Sequence, residues 1–392
     1  MGFKEQQLKN ILEINPRMTL KKGNVTKKIA MEHLTEYVKK VQGWSLSEFK
    51  SGSKFKNKDT LVARITPCLE NGKTAYVDIL ADDEVAFGST EFFVVRAKEN
   101  KGDPQFIYYL MRHPKVRDAT IKSMTGTSGR QRAQKEAILE YSMSLPNIFD
   151  QKKIGYLLSL FDSKIESNND IIHNLEQLSQ TLFKHWFIDF EFPNEEGKPY
   201  KSSGGEMVNS ELGEIPSSFK TGNFKDILEL KYGKSLTKKN RIPGEYPVYG
   251  SGGITGTHVD YLITGPGLII GRKGSIGTLY LEFNNFYPID TVFYVESEIY
   301  EPTFLYLLFK QYDFTKSNND SAVPGLNRDF VYNTKIIIPM NNVVREFQKI
   351  ITPIYEQIEN TLLETKKLQS LRDFLLPKLI SGEIKISKKL EV

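Results

Sequence analysis

The chain has 392 residues, of which 39% are hydrophobic and 26% are charged, and its formal net charge is +5. This length exceeds what one ordinary core needs, and the composition predicts a soluble globular protein of two or three domains. The sequence has no apolar run of about 18 residues and no signal-type start, so we expect a cytoplasmic protein. Its single cysteine, Cys68, excludes an internal disulfide, and its histidines lack metal-ligand spacing.

Positive charge is concentrated in two segments. Residues 21–58 contain ten lysines and three glutamates, a local charge of +7, and residues 231–241 contain five cations and no acid. Such clusters attract phosphate backbones by counterion release. A solvated lysine-rich surface explains either cluster alone, but two clusters at corresponding places in a repeat favour a polyanionic partner.

The chain repeats five predicted elements in the same order and with similar spacing. They are a strand rich in aromatic and β-branched residues, an aromatic segment, a polar loop containing glycine, a strand that ends in Leu-Pro or Ile-Pro, and a long helix. The first copy covers 89–97, 103–111, 124–134, 141–146 and 147–192, and the second covers 290–297, 301–309, 318–328, 334–339 and 340–382. We therefore predict an internal duplication.

The two long helices carry narrow apolar stripes. Apolar residues recur at spacings of three and four, and the opposite face is charged, which is typical of a helix that packs against one other helix. We predict an antiparallel coiled coil, in which about 35 residues at a rise of about 1.5 Å span roughly 50 Å. Its predicted core is Ile154, Leu158, Phe161, Ile165, Ile172, Leu175 and Leu182, with Ile354, Ile358, Leu362, Leu368, Leu371 and Leu375.

These patterns predict an α+β fold with two similar globular domains, each a mixed sheet with short helices, joined by the two long helices. A polar, glycine-rich stretch between the halves is predicted to be a linker. The predicted boundaries are 1–146 for the first domain, 147–192 for its helix, 193–216 for the linker, 217–339 for the second domain, 340–382 for its helix and 383–392 for a tail.

Motifs for nucleotide chemistry are incomplete. Gly-Lys-Thr at 72–74 and Gly-Lys-Ser at 233–235 lack the earlier glycine of a phosphate loop, because Pro67 and Leu228 stand there. The glycines within 265–271 miss the dinucleotide fingerprint by one residue. No methyltransferase signature is complete either. None of these motifs therefore requires a catalytic residue, a metal or a cofactor in this chain.

Short glycine turns in the second half favour a different role. The stretch "ITGPGLIIGRKGSIGTLY" at 263–280 places Arg272 and Lys273 among five glycines. Such turns let a backbone approach a duplex closely, arginine can read guanine bidentately, and lysine contacts phosphate. A plain surface loop is the alternative for any one of these residues.

The layout resembles the specificity subunit of type I restriction-modification enzymes. The resemblance covers nearly the whole chain and depends on "SGSKFKNKDTLVARITPCLENGKTAYV" at 51–77, on the helical stretch at 145–191, on "YGSGGITGTHVDYLITGPGLIIGRKGSIG" at 249–277 and on "LRDFLLPKLISGEI" at 371–384. The helix motifs and the closing "LLPKLISGE" are the most specific of these. The openings of the two halves match weakly, since residues 1–30 have no close equivalent in the second half.

The resemblance implies a non-catalytic subunit. Each globular domain would be a target-recognition domain that reads one half of a bipartite site on double-stranded DNA, and the paired helices would set the gap between the halves. Two modification subunits would dock along the helices and carry S-adenosylmethionine and the adenine methyltransferase site. Restriction subunits would add ATP- and Mg-dependent translocation and cleavage.

We predict that basic loop residues of both halves contact the DNA, with Tyr249 and Ser251 on the same surface. Arg130, Arg132, Arg272 and Arg328 are expected at base edges and the lysines at phosphates. The full predicted set is Lys54, Lys56, Lys58, Arg64, Lys73, Arg130 and Arg132 in the first half, and Lys234, Lys238, Arg241, Tyr249, Ser251, Arg272, Lys273 and Arg328 in the second.

Two other classes of protein fit parts of the sequence. A self-contained nuclease or DNA methyltransferase would transfer methyl groups or cut DNA without a partner. A protein-only scaffold would dock a partner on its helices, and its basic loops would have no role in binding. Methyl transfer or cleavage by the purified chain would identify the first. DNA binding that does not depend on salt, or that is absent even when the methyltransferase partner is supplied, would identify the second.

Overall fold

A computed structural model describes residues 2–127, 129–316 and 325–386. The chain forms two compact units. The first comprises Met1–Asn168 and Glu364–Val392, and the second comprises Asn169–Leu363. Each unit therefore contains one part of each long helix. No helix in the described ranges is long and apolar enough to cross a membrane.

The first unit contains three small sheets. Strands β2, β9, β6 and β7 form a four-stranded sheet in that order, β4, β3, β8 and β5 form another, and β1 pairs with β10. The elements are β1 (Phe3–Gln7), β2 (Leu12–Ile14), β3 (Val25–Ile29), β4 (Ser45–Glu48), β5 (Ser53–Phe55), β6 (Thr60–Ala63), β7 (Thr74–Tyr76), β8 (Ala86–Gly88), β9 (Phe92–Ala97), α1 (Pro104–Arg112), α2 (Pro114–Lys122), α3 (Lys135–Leu139), β10 (Ser142–Pro146) and α4 (Ile148–Phe187), whose end lies in the second unit.

The second unit repeats most of this plan, but its second sheet has three strands and it has an added hairpin. Its sheets are β14-β20-β17-β18, β16-β15-β19, the pair β13-β21 and the hairpin β11-β12. Its elements are β11 (Met207–Ser210), β12 (Gly213–Pro216), β13 (Lys220–Asn223), β14 (Glu229–Tyr232), β15 (Tyr246–Gly250), β16 (Gly253–His258), β17 (Gly267–Gly271), β18 (Leu279–Glu282), β19 (Tyr287–Pro288), β20 (Val292–Glu296), α5 (Pro302–Phe309), α6 (Arg328–Tyr332), β21 (Lys335–Ile338) and α7 (Asn341–Ser381), whose end lies in the first unit.

The duplication is visible in strand pairing as well as strand order. In the first unit β6 pairs antiparallel with β9, and β3 pairs parallel with β8. In the second unit β17 pairs antiparallel with β20, and β15 pairs parallel with β19. A further pair closes each unit, since β1 pairs with β10 and β13 with β21. The short helices α3 and α6 occupy the same place before the closing strand.

A short aromatic helix fills the core of each unit. In α1, Asp103 accepts a hydrogen bond from the Phe106 backbone N–H at 2.9 Å and caps the helix, and Pro104 stands in its first turn. Every residue from Phe106 to Arg112 is buried. The segment predicted only as aromatic is therefore a core helix, and each of its large apolar side chains contributes about 1.5–3 kcal/mol by burial.

In the first unit the parts of α4 and α7 run antiparallel, and in the second unit they contact each other. In the first unit Asp162 is paired with Arg372, and Asn168 donates to Thr365 at 3.2 Å, so rising numbers on α4 meet falling numbers on α7. In the second unit the ring centres of Phe183 and Phe347 are 5.9 Å apart. The helical segments pack into the domain cores as well as against each other, which the narrow stripes did not predict.

Two residues predicted for the helix core are exposed. Leu362 and Leu371 have 41% and 46% of their surface accessible. The buried positions on this part of α7 include Thr361, Thr365 and Arg372. The prediction was wrong at these two leucines because polar side chains occupy part of the buried face, and a search for apolar periodicity passes over them.

The stretch predicted as a linker has structure of its own. Residues 207–216 form the hairpin β11-β12, and the Tyr200 ring stacks on Phe192 with ring centres 4.6 Å apart. Glycine and polar residues here serve tight turns: Gly197, for example, has a φ of +75° and donates from its backbone N–H to Asn194. Of the predicted tail, 383–392, the part after position 386 lies outside the described residues.

Candidate nucleic-acid interface

The predicted lysines of the first unit differ in how freely they can reach a ligand. Lys56 and Lys58 are exposed, and Lys58 lies in a turn with a φ of +71°. Lys54 donates to the Met18 carbonyl at 3.0 Å. Lys73 donates to the Met31 carbonyl at 3.1 Å, so these two ammonium groups already hold the fold together.

The predicted arginines of the first unit meet at the end of β6. Arg132 donates from Nε and Nη2 to the Glu91 carboxylate at 2.8–3.0 Å, and the Arg64 Nε lies 4.0 Å from the same group. Hydrogen bonds from Arg132 hold the pKa of Glu91 below its usual range. The Arg64 guanidinium stacks 5.1 Å from the centre of the Phe93 ring. Arg130 is exposed on the neighbouring loop.

In the second unit two predicted arginines share an aromatic platform. The guanidinium carbon of Arg272 lies 4.9 Å from the centre of the Tyr232 ring, and that of Arg328 lies 5.4 Å from it. Arg272 also stacks on Phe293 and donates from Nη2 to the Asp290 carbonyl at 2.9 Å. Tyr232 itself is 48% exposed. Cation–π contacts of this kind hold a guanidinium in place without neutralising it.

The basic segment at 231–241 is partly committed to the fold. Arg241 donates to the Leu236 carbonyl and to both the carbonyl and hydroxyl of Thr255, at 2.8–3.3 Å. Lys234 and Lys238 are exposed, as is Lys273 beside Arg272. The structure therefore leaves the lysines accessible and uses Arg241 to hold the loop.

Tyr249 does not lie on the surface where we predicted it. It is 6% exposed, and its hydroxyl donates to the Glu282 carboxylate at 2.8 Å. Burial and the nearby carboxylate raise the pKa of the Tyr249 hydroxyl far above its usual range. Its ring packs against Tyr280 and Phe286, with ring centres 5.7 and 6.0 Å away, and these contacts hold it in the core. Ser251 is half-buried, and its carbonyl accepts from Thr278 and Tyr280.

Sequence reasoning missed three residues that shape this interface. Glu91 precedes β9 and looks like an ordinary acidic residue at a strand start. Tyr232 ends β14, and Phe93 lies inside a buried strand. Only the pairing of the strands brings each of them beside an arginine, so no local pattern could have marked them.

The described residues offer no group of three or more metal-ligating His, Cys, Asp or Glu side chains. What the two units do present is arginine held by aromatic rings and by carbonyl or carboxylate groups, with exposed lysines nearby. Groups of this kind bind anionic oxygens and base edges and form no covalent bond with them. The fold and these side chains define a duplicated α+β protein equipped to bind a polyanion.

The family model for the type I restriction modification DNA specificity domain matches residues 1–177 and 216–372. The chain belongs to this family. It is therefore a DNA specificity subunit and a non-catalytic member of its system, as the sequence predicted. Subunits of this family bind DNA and assemble with other restriction-modification subunits.

Individual relatives match along most of their length. The chain is 26% identical over 313 residues to the type I restriction enzyme MjaIX specificity subunit of Methanocaldococcus jannaschii, covering 72% of this chain and 70% of the relative. It is 25% identical over 427 residues to the HindI specificity subunit of Haemophilus influenzae, covering 88% and 90%. These matches confirm the predicted family.

One solved structure shares the fold. The S subunit of a type I restriction-modification system from M. genitalium superposes with a TM-score of 0.58 at 18% identity, covering 98% of this chain and 97% of that one. The predicted α+β fold with a duplicated domain and two long helices is thereby confirmed. At this identity the likeness is one of fold.

Proposed function

We propose that the chain selects a bipartite site on double-stranded DNA, with each unit reading one half. The observation that carries this proposal is the duplication itself: two sheets of the same strand order each place arginine at the end of an inner strand, Arg64 after β6 and Arg272 after β17. A duplicated reader suits a target with two separate halves. Base-edge contacts by arginine would contribute about 1–3 kcal/mol each to discrimination.

The proposed division of labour follows exposure and hydrogen bonding. Arg130, Arg132, Arg272 and Arg328 would read bases or fix the backbone beside them. The exposed lysines Lys56, Lys58, Lys234, Lys238 and Lys273 would contact phosphates, with an affinity that falls as salt rises. Lys54, Lys73 and Arg241, which are hydrogen-bonded within the fold, would hold the recognition loops in position.

The long helices would set the gap and receive the methyltransferase subunits. Exposed apolar side chains lie on α4 in each unit: Phe149, Tyr156 and Leu160 in the first, and Ile171 and Leu178 in the second. Spacings of four, seven and eleven residues in the first unit, and of seven in the second, keep the side chains of each unit on one helix face, as a docking surface requires. This supports two modification subunits as partners, which would carry S-adenosylmethionine and methylate adenine.

Restriction subunits would complete the system with ATP- and Mg-dependent translocation and cleavage in the cytoplasm. The division into recognition domains 1–146 and 217–339, helices 147–192 and 340–382, linker 193–216 and tail 383–392 belongs to the same proposal. The recognition domains would read the DNA, the helices would set the spacing, and the linker would join the two halves.

The test is a methylation map. The chain would be expressed with its methyltransferase subunit in a host without other adenine methylation, and methylated adenines would be located across the genome. We expect two short half-sites separated by a constant unread gap. A contiguous site, or the same pattern without the specificity chain, would contradict the proposal. Methyl transfer or cutting by the purified chain alone, with S-adenosylmethionine and magnesium, would instead support a self-contained enzyme.

A further inference from the structure

The ends of β6 and β17 are equivalent positions in the two units, and each is followed by an arginine, Arg64 or Arg272. The Arg64 backbone N–H donates to the Glu91 carbonyl at 3.0 Å, and the Arg272 backbone N–H donates to the Thr291 carbonyl at 2.9 Å. The carbonyls of the two arginines accept from Ala133 and Leu326, both at 2.8 Å. By this backbone geometry Arg64 corresponds to Arg272, and Glu91 corresponds to Thr291.

The side chains at these equivalent positions begin in the same way. Each arginine lies over the ring of a buried phenylalanine, Phe93 for Arg64 and Phe293 for Arg272. In each, the Nε atom is buried and has no hydrogen-bond partner among the described residues. The two units therefore hold one arginine each on the same aromatic support, and they differ in what surrounds it.

In the first unit a carboxylate offsets part of the positive charge. Glu91 binds Arg132 through both carboxylate oxygens and lies at 4.0 Å from Arg64. Two cations thus share one internal anion. The carboxylate also fixes the direction of the Arg132 guanidinium, since a bidentate pair has a defined plane.

In the second unit the corresponding anion is missing. Thr291 stands where the first unit has Glu91, and its hydroxyl accepts from the Ser251 backbone N–H at 3.3 Å. Within residues 2–127, 129–316 and 325–386, neither Arg272 nor Arg328 has a carboxylate at ion-pair distance. Both guanidinium carbons lie within 5.4 Å of the Tyr232 ring centre. Two positive charges held about 10 Å apart or less repel each other and create a potential that attracts an anion.

We propose that the Arg272–Tyr232–Arg328 cluster of the second unit binds a DNA phosphate, whereas Glu91 lowers the net positive charge of the equivalent place in the first unit and acts as a positioning residue for Arg132. The proposal rests on the DNA-binding function proposed above. It assigns the two halves different shares of the salt-dependent affinity: the second half contributes a phosphate contact that the first half suppresses.

The test exchanges the charge at the two equivalent positions in the full chain, with binding to duplex DNA measured by fluorescence anisotropy across salt concentration. Thr291→Glu introduces the missing anion, and Thr291→Gln matches its size without the charge. We expect Thr291→Glu to bind about tenfold more weakly than Thr291→Gln at low salt, and its slope of log affinity against log salt to be smaller by about 0.9, the value of one phosphate. Glu91→Gln should steepen the slope by a similar amount.

Asn209→Glu is the control for net charge, because Asn209 is exposed on β11 of the second unit and belongs to neither cluster. It should leave the slope unchanged. Arg328→Gln provides an independent route to the same contact and should lower the slope as Thr291→Glu does. If thermal melting shows that Thr291→Glu does not fold, the salt slope of Arg328→Gln tests the phosphate contact in its place.

Equal slopes for Thr291→Glu and Thr291→Gln, or for Arg328→Gln and wild type, would overturn the phosphate site. An Asn209→Glu slope as low as that of Thr291→Glu would also overturn it, since general repulsion would then suffice. Failure of the underlying function looks different: wild-type binding that is absent or independent of salt would remove the proposed DNA binding itself, before any variant is compared.

Discussion

Replacing Arg372 by methionine should destabilise the first unit strongly, because it would leave the Asp162 carboxylate buried without its cation. Asp162 is 3% exposed and accepts hydrogen bonds from both Arg372 and Tyr109. Removing one partner of a buried pair typically costs about 3–5 kcal/mol, since the remaining charge is desolvated and unpaired. Arg372 also contacts Asp373, but that side chain is 51% exposed and contributes little.

The double variant separates the charge from the packing. Asp162→Asn in the Arg372→Met background removes the stranded charge and keeps a polar group that can bond to the Tyr109 hydroxyl. We expect the double variant to cost only about 1–2 kcal/mol, less than Arg372→Met alone, which is the sign of a coupled pair. Lys164→Met is the matched control: its pair with Glu364 is half-exposed on both sides, and its loss should cost about 0.5 kcal/mol or less.

Hydrogen exchange of the α1 backbone in the full chain measures these differences locally. The method suits a protein with two compact units, because multidomain proteins commonly depart from two-state unfolding. Arg372→Met should lower the opening free energy of the backbone amides of 104–112 by the full cost of about 3–5 kcal/mol. The amides of 302–309 in the second unit should keep their protection. If the single and double variants lose equal protection, or if Lys164→Met matches Arg372→Met, the buried pair does not stabilise the unit in the way argued.

Three further outcomes can be checked. Arg272→Ala should weaken or relax recognition of one half-site only, and a methylation map with equal loss at both halves would contradict the division between units. Deleting seven residues from each of α4 and α7 should shorten the tolerated gap by roughly 10 Å, or about three base pairs, and an unchanged gap would exclude the spacer role. Burial, assisted by Lys115, lowers the pKa of His113 to about 4. The folded protein thus favours neutral His113, whose contribution to the free energy of unfolding is present above pH 6.5 and is lost as the pH falls toward 4. In His113→Asn the melting temperature should therefore depend less on pH between 6.5 and 4.

The fold was predictable wherever the sequence signal is local or repeated. The long helices and the order of strand, aromatic segment, loop and strand in each half depend on periodicity and on a comparison of the chain with itself. Positions such as Leu362 were not predictable in this way, because the buried face of α7 is partly polar, and a threonine in a seam looks the same in sequence as one on the surface.

The candidate interface was predicted from residue type and not from environment, and its contact with DNA stays a prediction. Arginine in a glycine-bearing loop indicates contact with a polyanion. The sequence pattern does not reveal which groups of the fold surround that arginine. Glu91 and Thr291 have no similarity in sequence that would pair them. Only the backbone hydrogen bonds to Arg64 and Arg272 show that they occupy the same place. Tyr249 was misplaced for the same reason, since its burial is set by pairing across β15.

The polar contacts between α4 and α7 in the first unit have a consequence for register. Asp162 meets Arg372, and Asn168 donates to Glu364 at 2.8 Å and to Thr365 at 3.2 Å. A slip of one helical turn would keep most apolar contacts but would bury Asp162 opposite a residue that cannot pair with it, at a penalty of several kcal/mol. An apolar seam would tolerate such slips, because leucines at neighbouring turns are interchangeable. The buried polar pairs therefore favour one register of the two helices, which is the property that a helix pair needs if its length is to define a distance.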